Sequence, residues 1–211
     1  RVLRVAEGRL EGAAVRDLRA GDDTRGIRAL AVHSSGTLYA VDEANDVLVV
    51  APPEDAEGRG ALVVPVAEGP ARVVATAHFV VVLSVVGHAV TVIPVDAAGL
   101  PAGDAVVIRR DGPPWSIAAV EDGAGLVVAT GGAEDHPLDR TSGSFAYVDP
   151  FLYVDRIRGG SGAAGADHTG RVEHLHAIDL GERGVIMPKA LAWAESGARL
   201  RVTGYGAPRG L

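Results

Sequence analysis

The sequence predicts an all-β fold: a β-propeller of four-stranded antiparallel blades, with about four blades present. Three observations carry this. The 211-residue chain is apolar enough to bury a core, 47% hydrophobic and 22% charged, yet only 4% of it is aromatic. Val and Ala dominate the apolar set, and Gly and Pro punctuate it, which favours many short strands. Apolar residues also alternate in short runs between Gly-, Asp- and Ser-containing turns, the pattern of β-hairpins. Finally, the runs ALAV at Ala29, VVAT at Val73, IAAV at Ile117 and ALAW at Ala190 recur in register. Ala29 to Val73 and Val73 to Ile117 are each 44 residues, and Ile117 to Ala190 is 73. A period near 44 matches the roughly 40–45 residues of a four-stranded blade. A blade cannot bury both faces of its own sheet, and small Ala and Val side chains suit packing against a neighbouring blade. The same strands could build a sandwich or a solenoid, but equal periods favour the propeller.

The elements follow in order. Arg1–Ala6 and Ala13–Leu18 read as strands, with Glu7-Gly8 as the first turn and a loop over Gly21–Gly26. The first full repeat has strands at Ile27–Val32, Thr37–Val41, Val47–Ala51 and Ala61–Val66, joined by Ser34-Ser35-Gly36, the DEAND turn Asp42–Asp46 and the polar loop Pro52–Gly60. The second has strands at Arg72–Ala77, Val80–Val86, Ala89–Val95 and Ala105–Arg109. The third opens with Ser116–Val120 and Leu126–Thr130 around the turn Glu121–Gly125, then breaks register. Strand-like runs return at Phe151–Ile157 and Val172–Leu180. The long third interval is one period plus an insertion over residues 131–170. The fourth is a hairpin, with Ala190 and Ala192 alternating before the turn Glu195-Ser196-Gly197 and Leu200 and Val202 after it.

The chain thus reads as one propeller unit over 1–211, with blades at 26–70, 71–114 and 115–184 and partial blades at 1–20 and 188–211. Two strands at each end would together make one blade, closing a small ring. Alternatively, the opening in mid-strand and the close on Gly-Leu read as cuts from a larger propeller, and this alternative is favoured.

Composition excludes several function classes. The net charge of −7 argues against a nucleic-acid partner, which needs a basic surface. Lys189 is the chain's one lysine, and the arginines are scattered without a patch visible in the sequence. With no Cys there is no disulfide, thiol catalysis or thiolate metal site within these residues. No apolar run approaches the roughly 20 residues of a membrane helix. No signal peptide is present, although the opening reads as a processed or excised start.

The repeat resembles the YVTN-type β-propeller family, which includes YncE-like and lactonase-like propellers. The last repeat carries the likeness through Pro188, Ala192, Gly197, Leu200, Val202, Thr203 and Gly206, and the first through Ala31, Gly36, Leu38, Tyr39 and Val41. In the second, His78-Phe79 replaces the usual Ser-Gly turn. The resemblance implies a bacterial protein that is periplasmic or extracellular, of a kind sometimes attached to c-type haem peroxidase-like domains. It implies no site residues, since none here match a lactonase or quinoprotein site.

Two groups of residues are candidates for chemistry or recognition. His174 and His176 lie two apart on an expected strand and so share a face. With His168 or a carboxylate as third ligand they would hold a divalent metal, Zn²⁺ or Cu²⁺. The bland alternative is an ordinary solvated strand face. The insertion supplies Asp135, His136, Asp139, Arg140, Asp149 and Asp155, whose carboxylates suit Ca²⁺ or a partner-binding lip. Phe145, Tyr147, Phe151 and Tyr153 gather more than half of the chain's Phe and Tyr residues there, as recognition anchors or the apolar side of a hairpin. Partner-binding is assigned to Asp135, His136, Asp139, Arg140, Phe145 and Tyr147. No GxSxG elbow or P-loop exists, and no catalytic residue is assigned. The expected function is a non-catalytic binding or scaffold domain of an exported protein, recognising a protein partner or an adjacent domain through the insertion-bearing face. The alternative is a metal-dependent enzyme or redox-associated module.

Overall fold

A computed structural model describes residues 4–6, 9–11, 26–53, 60–135, 148–158, 171–194 and 197–205. Among them are sixteen strands: β1 Arg4–Ala6, β2 Arg9–Glu11, β3 Ile27–Val32, β4 Leu38–Asp42, β5 Val47–Ala51, β6 Leu62–Pro65, β7 Pro70–Ala75, β8 Phe79–Ser84, β9 Ala89–Pro94, β10 Val106–Arg109, β11 Pro114–Asp122, β12 Gly125–Asp135, β13 Val148–Arg158, β14 Arg171–Asp179, β15 Met187–Ala194 and β16 Arg199–Tyr205. No helix among the described residues is long and apolar enough to cross a membrane.

β3–β6, β7–β10 and β11–β14 form three four-stranded meanders, each strand antiparallel to the next. β1–β2 and β15–β16 are two-stranded sheets. The first strands of successive sheets lie together, β3 on β7, β7 on β11 and β11 on β15. The chain is therefore an all-β protein of propeller-like construction. Among the described residues these two terminal pairs are not joined to each other. β1 finds its partner at Arg9–Glu11, directly after Glu7-Gly8, whereas the strand expected at Ala13–Leu18 lies outside the described residues.

The core sits between sheets. Tyr39, Val41, Leu48 and Val50 of the first sheet meet Val73, Val80, Val82 and Ile93 of the second. Phe79, Val81, Leu83, Val90, Val92 and Ile108 of the second meet Ile117, Leu126, Val128 and Ile157 of the third. Val127, Ala129, Leu152 and Val154 meet Leu191, Trp193, Leu200 and Val202 of β15–β16. β8 shows why FVVVLS is a continuous apolar run rather than an alternating one. Val80 and Val82 face one neighbour, Val81 and Leu83 the other, and all six residues are buried. Each such side chain stabilises by about 1.5–3 kcal/mol on burial.

Polar contacts pin the first sheet to the β7–β8 turn and the β9–β10 connection of the second. His33 lies after β3; its Nε2 donates to Ala77 O at 2.9 Å, across a separation of 44 residues. Thr37 Oγ1 donates to Ala98 O at 2.6 Å, and Tyr39 Oη donates to Gly99 O at 2.6 Å. Burial, with Asp96 adding to it, pushes the Tyr39 phenol well above its ordinary value.

Of the expected insertion 131–170, Gly131–Asp135 and Val148–Arg158 are strand, while 136–147 and 159–170 lie outside the described residues. The Gly131-Gly132 pair looks like a loop in sequence but serves close packing. A Cβ on Gly131 would sit 2.6 Å from Ser116 Oγ, and one on Gly132 2.7 Å from Pro113 O. Glycine inside a strand commonly marks such a close approach.

Candidate functional site

The third sheet is taller than the second. The β7–β8 ladder runs from Pro70↔Ser84 to Ala75↔Val80, and its counterpart in the third sheet from Pro114↔Gly132 to Ala119↔Val128. Beyond that level lie Val120↔Val127, Glu121↔Leu126 and Asp122↔Gly125 at one end. At the other lie Ala133↔Pro150, Glu134↔Asp149 and Asp135↔Val148. Three residues of strand add roughly 10 Å at each end. The first overhang carries the β11–β12 turn and is here called the turn end. The second leads into the β12–β13 connection and is the ribbon end.

At the turn end the overhang leans on the β7–β8 turn of the second sheet. His78, Phe79 and Glu121–Gly125 line a cleft of about 250 Å³. His78 donates from its backbone N to Glu121 Oε1 and bonds from Nδ1 to Glu121 Oε2, both at 2.7 Å. Partial burial opposes ionisation of Glu121, but hydrogen bonds from the His78 ring, Thr76 and the His78 N–H outweigh it. The carboxyl is held below its usual range. Asp122 is held low by the Ala124 N–H and by Arg156, whose Nη2 donates to Oδ2 at 2.7 Å.

Below the ribbon end lies a buried charged cluster. Arg110, just past β10, reaches from the second sheet to pair with Asp155 on β13, and both side chains are almost completely buried. Its guanidinium also lies 4.6 Å from the centre of the Tyr153 ring and 3.5 Å from Thr130 Oγ1. Tyr153 stacks on Phe151 with ring centroids 5.8 Å apart, and its hydroxyl donates to Glu134. Burial first, then Glu134, push the Tyr153 phenol up. The second oxygen of Asp155 binds His174 Nδ1 at 2.5 Å, while the His174 side chain is 72% exposed.

The two histidines expected on one face are separated. A register shift between Val154 and Asp155 places His174 opposite Asp155 and His176 opposite Val154. Asp155 and Val154 are neighbours on one strand and point to opposite faces. The shift leaves Leu175 as an extra residue on β14, and one extra residue reverses the parity on which the sequence argument relied. Among the described residues no three His, Asp or Glu side chains are grouped to hold a metal ion. His168 lies outside the described residues. So do His136, Asp139, Arg140, Phe145, Tyr147 and the side chain of Asp135, the last residue of β12. Asp149 pairs with Glu134 on the ribbon. No motif in the sequence marks Arg110, Glu134, His78 or Glu121 as site residues. The single usable signal was spacing, since His78 and Glu121 stand 43 residues apart, close to one period.

No family model matches the chain, and no curated protein matches it. Among solved structures it is similar to the crystal structure of a candidate 6-phosphogluconolactonase from Bacteroides uniformis ATCC 8492. The identity is 13% and the TM-score 0.40, over 84% of this chain and 64% of that one. The chain thus spans less than two thirds of the length of that protein.

Proposed function

We propose that this chain is a non-catalytic propeller module that docks a protein partner, or an adjacent domain of the same polypeptide, through the ribbon end. The observation that supports this is the clamp beneath the β12–β13 ribbon. Arg110, Asp155, Tyr153, Glu134 and Phe151 tie its root to two sheets at once. A long connection on a rigid base is the usual arrangement of a recognition loop. The kinship with YVTN-type repeats, and the periplasmic or extracellular location it implies, belong to this proposal. The test replaces 136–147 with Asn-Gly, a two-residue turn that joins Asp135 to Val148 in their existing register. Cross-linking in cells that express the protein should then lose the partner captured by the intact chain, with the thermal midpoint unchanged. Identical capture by both forms would sink the reading.

One observation favours a second reading, a metal-dependent or redox-associated module. His174 has one ring nitrogen held by a buried carboxylate and the rest of its ring exposed. Metal ligands and general bases are oriented in this way. His168 would be a further ligand. Stoichiometric metal in protein purified without chelator, lost in His174→Ala, would decide for it.

A further inference from the structure

The cleft at the turn end exists because the third sheet overhangs the second, so that the β11–β12 turn stands beyond the β7–β8 turn. His78 and Phe79 line one side of it and Glu121–Gly125 the other. Two histidines hold comparable places, each between the first two strands of its sheet and each reaching the next sheet. His33 is 4% exposed and uses both ring nitrogens, Nε2 on Ala77 O at 2.9 Å and Nδ1 with Ser35. It is a structural pin. His78 uses one. Its Nδ1 lies 2.7 Å from Glu121 Oε2 and its side chain is 52% exposed. Its Nε2 has no hydrogen-bond partner among the described residues. Glu121 also accepts the His78 backbone N–H, and its carboxyl is held low, so it is an anion at neutral pH. An anion at Nδ1 fixes the tautomer: Nδ1 carries the proton and donates, and Nε2 presents a lone pair. Asp122 brings a second carboxylate to the lining, whereas its partner Arg156 is not part of that lining. No Lys or Arg lines the cleft among the described residues.

We propose that this cleft binds a small primary amine, whose ammonium group donates to His78 Nε2 and is held by the negative field of Glu121 and Asp122. Three features select that ligand. A ring nitrogen with a free lone pair calls for an N–H or O–H donor. Two carboxylates with no lining cation favour a donor that is positively charged. The space, about 250 Å³, equals that of roughly eight liquid waters and suits a short-chain molecule. Gly123, Ala124 and Gly125 bring no long side chain into it, and a Cβ on Gly123 would meet nothing within 4 Å. A transition metal would also take the lone pair, but it needs several ligands, and no three His, Asp or Glu among the described residues are grouped to hold one. An anion would be repelled by both carboxylates. The cleft lies at the opposite end of the sheet from the ribbon, so this proposal and the docking reading stand or fall separately.

The test titrates n-butylammonium into nitrogen-15-labelled protein and follows the His78 ring nitrogens and the amides of Gly123, Ala124 and Gly125 by NMR. These resonances should move together along one saturating curve in the millimolar range. Tetramethylammonium, which has the same charge but no N–H, and butyrate, an anion, should leave them in place. His78→Asn keeps a side-chain donor for Glu121 but has nothing in place of Nε2. It should weaken binding about tenfold while the thermal midpoint stays unchanged. Four results would overturn the proposal. Equal shifts with tetramethylammonium make the cleft a patch of negative field without a hydrogen-bonding anchor. Undiminished binding by His78→Asn removes Nε2 from the site. Shifts with one equivalent of Zn²⁺ and none with the amine give the lone pair to a metal. No shift with the amine or with Zn²⁺, each in large excess, leaves His78 a structural pin like His33.

Discussion

Asp155→Ala should be the most damaging change to a single charged residue among those described. Asp155 is 1% exposed and Arg110 5% exposed, and they bridge the second and third sheets. Removing the carboxylate leaves a guanidinium in the core whose Nε already has no partner. Breaking a buried pair on one side costs about 3–5 kcal/mol. For a domain of this size each kcal/mol lowers the melting temperature by about 2–4 °C, so the expected fall is roughly 6–20 °C. Replacing both partners, Arg110→Met with Asp155→Leu, removes the desolvation cost along with the attraction and should come within about 1–2 kcal/mol of the parent. His174→Ala should cost about 1 kcal/mol or less, because its ring is mostly in water. Urea titrations followed by the fluorescence of Trp115 and Trp193 give all four stabilities. A loss below about 1 kcal/mol for Asp155→Ala, or a double variant as unstable as the single one, would refute the reasoning.

Two further outcomes are expected. Gly132→Ala should destabilise by about 1–3 kcal/mol, because the new Cβ meets Pro113 O at 2.7 Å and Pro114 Cα at 2.9 Å, both backbone atoms that cannot swing aside. Gly123→Ala, with nothing within 4 Å, should be nearly neutral, and calorimetry of the pair checks the contrast. The pH dependence follows from Glu121, whose carboxyl is held low in the folded state. Its contribution is fully present above the unfolded carboxylate value and is lost as pH falls through the lowered folded value. Glu121→Gln should therefore flatten part of the acid limb of a stability–pH curve; an unchanged limb would count against the His78 contact.

Local pattern carried the strands and the period. FVVVLS and LYAVD read as short strands between turn residues, and the 44-residue spacing reappears as the His33–Ala77 hydrogen bond. Local pattern misled at Gly131-Gly132, because glycine in a loop and glycine under a proline look alike in one dimension. It misled again at His174 and His176, because strand parity holds only while the register is unbroken.

The candidate sites were the least legible part. Arg110 and Asp155 are 45 residues apart and meet only because one sheet lies on the next. Lys189 and Arg201 share a face only because a hairpin turns between them. By itself the sequence determined the strand content, the repeat length and the absence of cysteine chemistry within these residues, since each depends on composition or nearest neighbours. Tertiary structure alone decided which charges are buried together and which share one face of a hairpin. Those depend on contacts between residues far apart along the chain, and no local preference encodes them.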